Sequence, residues 1–96
     1  MASSDLLLLH ADDNVLVARR PIAAGATVIL DGCHTRVEAA LALGHKLARR
    51  HIAAGEPILK YGMPIGFATQ PIPAGAHVHL HNVRSAYTPS VALSHV

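Results

Sequence analysis

Apolar residues fall along this chain in short runs, each closed by a glycine or proline turn. The runs at 14–18, 27–30, 46–48, 57–60, 66–69 and 77–80 have the length and alternation of β-strands. Three of them follow a recurring phrase. RRPIAAGATVIL begins at Arg19, RRHIAAGEPILKYG at Arg49 and TQPIPAGAHVHL at Thr69, with a weaker copy, ALALGHKLA, at Ala40. In each full copy an isoleucine anchors the incoming segment, a glycine makes the turn, and apolar residues start the next strand. The glycines pair as Gly25 with Gly44 and Gly55 with Gly75, which predicts two similar halves, 5–48 and 49–82. The two halves form one domain over 1–82. Residues 83–96 lack the repeat and read as a tail or docking arm. The pattern predicts an all-β domain of short strands and glycine turns. Val37–Leu43, rich in Ala and Leu, offers one short helix as an alternative.

Composition narrows the function classes. Ninety-six residues suit one domain. With 51% hydrophobic and 15% charged residues the chain is not disordered by composition. Aromatics are 3% with no Trp, so the core is built from Val, Ile, Leu and Ala, and no base-stacking platform is available. A formal charge of +2, with basic residues in the pairs Arg19–Arg20 and Arg49–Arg50, lacks the stripe a phosphate backbone needs; no nucleic-acid partner is expected. Cys33 is the only cysteine, which excludes an internal disulfide. The N-terminal MASSDLLLLH has no basic region and only a four-residue apolar run, unlike a signal peptide, and no stretch approaches a membrane span. A cytoplasmic protein is expected. Exposed strand edges allow a homodimer.

The eight histidines change the picture most. In HVHLHN, residues 77–82, a continuous strand would place His77, His79 and His81 on one face. Neighbours on that face lie about 7 Å apart and can converge on one metal, whereas His77 and His81 would be about 13 Å apart. His77, His79 and His81 are therefore the candidate metal ligands, with further ligands from elsewhere. The same string also reads as a polar strand face with solvated imidazoles. His45 and Lys46 follow one glycine turn, and Lys60 and Tyr61 end the strand after another. If the halves pack face to face, these four gather at one rim as candidate substrate contacts. Otherwise they are solvated strand ends. Asp12-Asp13-Asn14 reads as a turn rather than a carboxylate site. Cys33 and His34 are adjacent and diverge on an extended segment, so they make no nucleophile pair. No phosphate-binding glycine loop is present.

Residues 44–82, GHKLARRHIAAGEPILKYGMPIGFATQPIPAGAHVHLHN, resemble the small domain of the altronate dehydratase and galactarate dehydratase family. LLLHADDNVLVARRPIAAGATV, residues 7–28, resembles its start. The resemblance implies an SAF domain, a compact β-clip. It implies a lyase that removes water from a sugar acid with the aid of a divalent metal, iron or manganese first and zinc as a further option. It also implies a much larger catalytic region or subunit as partner. The small subunit of (2R)-sulfolactate sulfo-lyase is similar, which gives a second lyase reading. A non-catalytic SAF binding module is the third. The tail and Met1 favour a separate subunit over a fragment. VEAALALGHK departs from the family's more strand-like, Pro-containing segment before GHK.

Overall fold

Strands β2 (Val15–Ala18) and β5 (Lys46–Ala48) are apolar at nearly every position, and the structure explains why: both of their faces are covered. The computed structural model describes residues 5–85. With β1 (Leu6–Leu7) and β8 (His77–Val78) they form an antiparallel sheet in the order β1-β2-β5-β8. A hairpin of β3 (Thr27–Leu30) and β4 (Cys33–Arg36) forms a second unit. A third sheet joins β6 (Pro57–Lys60), β7 (Met63–Ala68) and β9 (Val83–Ser85).

Alternation along β2 and β5 divides the core in two. Leu16, Ala18 and Leu47 pack with Leu6, Ile22, Val28, Leu30, Val37 and Leu41. Val15, Ala48 and Val78 pack with Ile52, Ile58, Ala68, Ile72 and Val83. The repeated phrase gives a repeated bonding pattern. Ile22 exchanges backbone hydrogen bonds with Leu41, and Ile52 does the same with Ile72. The Gly44 amide donates to Ala18 and the Gly75 amide to Ala48.

Among the described residues the fold is all-β. The helix considered for Val37–Leu43 does not form. Val37 pairs with Ala26 and Leu41 with Ile22, and both side chains are buried in the first core. Long-range pairing and burial override a weak local propensity here. Residues 83–85, read from sequence as the start of the tail, pair with β7, because Gly66 lets β9 approach: a Cβ there would lie 2.4 Å from the Arg84 carbonyl oxygen. The rest of the expected arm, 86–96, lies outside the described residues. No helix among them is long and apolar enough to cross a membrane.

The Asp12-Asp13-Asn14 segment is structural. Both hairpins turn on two residues with positive φ, Asp31–Gly32 and Tyr61–Gly62. Asp suits that conformation, whereas a residue as bulky as Tyr61, at φ 56°, does not. The buried Asp13 carboxylate holds the second turn, accepting the Tyr61 amide at 2.9 Å and the Gly62 amide at 2.7 Å. Asn14 accepts the Leu59 amide and donates to the Pro57 carbonyl, both at 2.8 Å. Arg49 then links the lobes: its guanidinium pairs with Asp31 and donates to the carbonyls of Ala11 and Asp13. Asp13→Ala leaves two part-buried turn amides without this acceptor and should cost about 2 kcal/mol, read as a lower urea midpoint. Asp13→Asn, which keeps one acceptor, should recover part of the loss.

Candidate metal centre

Three imidazoles meet at one end of the central sheet. The β5–β8 register sets Leu47 opposite His77 and Lys46 opposite Val78. His45 closes a turn by donating its amide to Ala42 and stands immediately before β5, while His79 stands immediately after β8. The antiparallel pairing therefore brings His45 to His79. His45 Nδ1 lies 3.0 Å from His77 Nε2. The His45 ring is 5.1 Å from those of His77 and His79, and the His77 and His79 rings stack at 5.3 Å with planes 7° apart. One nitrogen from each of the three lies within 4.8 Å of the others.

The continuous strand expected over 77–81 is not what forms. Strand β8 ends at Val78, and 79–82 turn back. Asn82, buried, closes that turn: its Oδ1 accepts the His79 amide at 3.0 Å and its Nδ2 donates to the His77 carbonyl at 2.8 Å. Its own amide donates to the His79 carbonyl. The turn carries His81 back, so its ring lies 5.7 Å from that of His77 instead of about 13 Å along a straight strand. His81 thus stands at the outer side of His77, while His45 joins His77 and His79 in the group with converging nitrogens.

These donors fit a borderline divalent ion. Metal–nitrogen bonds near 2.1 Å set tetrahedral ligand atoms about 3.4 Å apart. The His45–His77 pair is already close to that spacing. Burial, before the charge of neighbouring rings and of Lys46, lowers the pKa of His77. Burial first, then His45 and Lys46, does the same for His79. Both shifts favour the neutral form, which is the form that ligates a metal.

Of the four residues expected to contact substrate, His45 belongs to this group and the other three lie on β5, at the end of β6 and on the β6–β7 turn. Lys46 is only 6% exposed, and its pKa is lowered first by burial and then by the charge of Lys60. Lys60 is partly buried with its ammonium 5.8 Å from the centre of the exposed Tyr61 ring. Sequence reasoning did not single out the groove on the other side of His77. It holds about 400 Å³, with Leu41 and Leu47 in its lining and Arg36, Glu38, Gln70 and His81 as polar groups. No local motif marks those residues, because they come from separate strands and loops. Cys33 is exposed and free.

The histidine shifts have a consequence for the metal-free chain. In the unfolded chain His77 and His79 take up protons near pH 6.5, while in the fold they resist doing so. Their contribution is intact above that value and lost as pH falls through it. The urea midpoint should fall from pH 7 to pH 5, with a shallower slope in His77→Asn.

The chain is similar to proteins of known activity. It is 46% identical over 77 residues to altronate dehydratase of Escherichia coli K12, a match that takes in 80% of this chain and 16% of that enzyme. Altronate dehydratase of Bacillus subtilis 168 is 40% identical over the same length and shares. The (2R)-sulfolactate sulfo-lyase subunit alpha of Chromohalobacter salexigens is 38% identical over 90 residues, covering 86% of this chain and 96% of that subunit. The chain therefore spans about a sixth of the altronate dehydratases and nearly all of the sulfo-lyase subunit. The model of the altronate/galactarate dehydratase SAF domain matches residues 4–86, and the chain belongs to that family.

Proposed function

We propose that this chain is the small, metal-carrying part of a lyase that acts on a hydroxy acid, with dehydration of a sugar acid of the altronate or galactarate kind as the first reading. The observation that carries it is the convergence of His45, His77 and His79 at one rim of a dehydratase-family domain. Those three would hold a divalent ion, iron or manganese before zinc, with His81 beside His77 as a reserve donor. When bound, the ion supplies Lewis-acid polarisation of a substrate oxygen.

The chain's own residues would contribute to binding. The lowered pKa of His77 and of His79 favours the neutral imidazole that a metal needs. Lys46 and Lys60 offer positive charge to a carboxylate, and Tyr61 offers a hydroxyl from the adjoining turn. The groove beside His77 is large enough for part of a small acid. The base that takes the proton α to the carboxylate is not among the roles given to these residues. That group is assigned to a large catalytic subunit or region, in keeping with the small share of the altronate dehydratases that this domain represents. The near-complete coverage of the sulfo-lyase subunit alpha supports a second reading, in which the same rim serves a sulfolactate-type substrate.

The chain should take up one Mn²⁺ or Fe²⁺ by elemental analysis, and His79→Ala should weaken uptake at least tenfold. The chain alone should not turn over altronate or galactarate, and co-expression with a large dehydratase subunit should restore turnover. Dehydration by the lone chain, or equal metal content in His79→Ala, would overturn the reading.

A further inference from the structure

The two repeats leave a groove where they meet. One wall is segment 36–41 of the first half, and the other is 70–77 of the second, with His81 and Asn82 beside it. Within it the halves touch: a Cβ on Gly75 would lie 2.7 Å from Thr35 Cγ2, so glycine is what lets them close there. Both walls are pinned by backbone hydrogen bonds. Val37 accepts from Gly25 and donates to Ala26, Leu41 exchanges bonds with Ile22 and Ile72 with Ile52, and Gly75 donates to Ala48. The groove is therefore built before any ligand arrives. Its volume of about 400 Å³ falls within the range of small-molecule sites.

The groove has two chemical faces. Its floor is made of the buried apolar side chains Leu41, Leu47 and Ile72. Its exposed rim carries Glu38, Gln70 and His81, which are a carboxylate, an amide and an imidazole. Among the described residues the side chains of Glu38 and Gln70 have no hydrogen-bond or ion-pair partner. Arg36 is the one Arg or Lys of the lining, and its guanidinium lies 3.6 Å from the place of a Gly25 Cβ, at a residue outside the lining. An apolar floor under a rim of donors and acceptors fits a hydroxylated carbon chain: its C–H faces cover the floor and its hydroxyls meet the rim. A carboxylate gains less there, beside Glu38.

His77 joins the groove to the imidazole group and is the one residue common to both. Its Nε2 lies 3.0 Å from His45 Nδ1. Leu47, its partner across β5 and β8, forms part of the floor. We propose that the groove binds the chain of a polyhydroxy acid whose carboxylate lies at the imidazoles, with Glu38, Gln70 and His81 reading its hydroxyls. This rests on the sugar-acid reading and deepens it. The imidazole end accepts any hydroxy acid, and the groove selects a long polyhydroxy one over a short one.

The test is a titration of the ¹⁵N-labelled full chain, followed by its amide chemical shifts, with and without Zn²⁺ as a diamagnetic ion. The probes are D-gluconate, a long polyhydroxy acid, hexanoate, which has the same chain length without hydroxyls, and glycerate, a short hydroxy acid. D-gluconate should shift the amides of Glu38, Gln70 and Ala74, and hexanoate and glycerate should bind about tenfold more weakly. Gln70→Leu, at an exposed rim position, should weaken D-gluconate about fivefold. Ala74→Trp, which fills the groove, should abolish its binding. Both variants should keep the parent's Zn²⁺ affinity. If Zn²⁺ shifts the histidine amides but D-gluconate leaves the groove amides unmoved, or Ala74→Trp binds it as the parent does, the groove is not its site and the metal reading stands. If hexanoate matches D-gluconate, the groove is an apolar cleft and the hydroxyl-reading role is overturned. If D-gluconate shifts the groove amides while Zn²⁺ leaves the histidine amides unmoved, the groove site stands and the metal reading falls.

Discussion

The antiparallel pairing of β5 with β8 is the contact on which the candidate site depends. It holds only two residue pairs, Lys46 with Val78 and Leu47 with His77. Those pairs bury Leu47 in one core and Val78 in the other, so the register is locked from both faces. A one-residue slip of β8 would bring His77 to the face that Val78 fills in the second core and take Val78 out of it. The same register brings the ends of the two strands together, and the ends carry His45 and His79. The imidazole group is a product of core packing, and its rigidity comes from there.

Two further devices support that end of the molecule. Asn82 binds its own turn through both side-chain atoms and so sets the direction of His79 and the return of His81. Asp13 does similar work for the turn that presents Tyr61 beside Lys60, holding a bulky residue in a left-handed conformation. In both cases a buried polar side chain satisfies backbone amides of a turn whose neighbours are exposed. The cost of leaving those amides unpaired makes the turns rigid, and rigid turns place functional groups well.

The charges are divided in a corresponding way. Arg49 spans Asp31 and the Asp13 loop, and Arg50 and Arg20 each hold a carboxylate near their own strand ends. These pairs engage Asp5, Asp31 and Glu56, half of the six acidic residues. Among the described residues Lys46 and Lys60 take part in none of these ion pairs.

Much of this molecule is legible in its sequence. The repeated isoleucine and glycine spacing announced short strands and turns, because those residues act through local backbone geometry and burial. The motifs around GHK and HVHLHN carried the family. The helix alternative over Val37–Leu43 failed, since propensity cannot see that Leu41 finds Ile22 across the fold. The straight strand over 77–81 failed because Asn82 caps a turn with side-chain bonds that alternation does not encode. What the sequence determined by itself was which polar and ionisable residues stand at the ends of which strands. Which of them meet was decided by tertiary structure alone. His45 and His77 stand 32 positions apart and touch at 3.0 Å only because two separate cores hold β5 against β8 in one register.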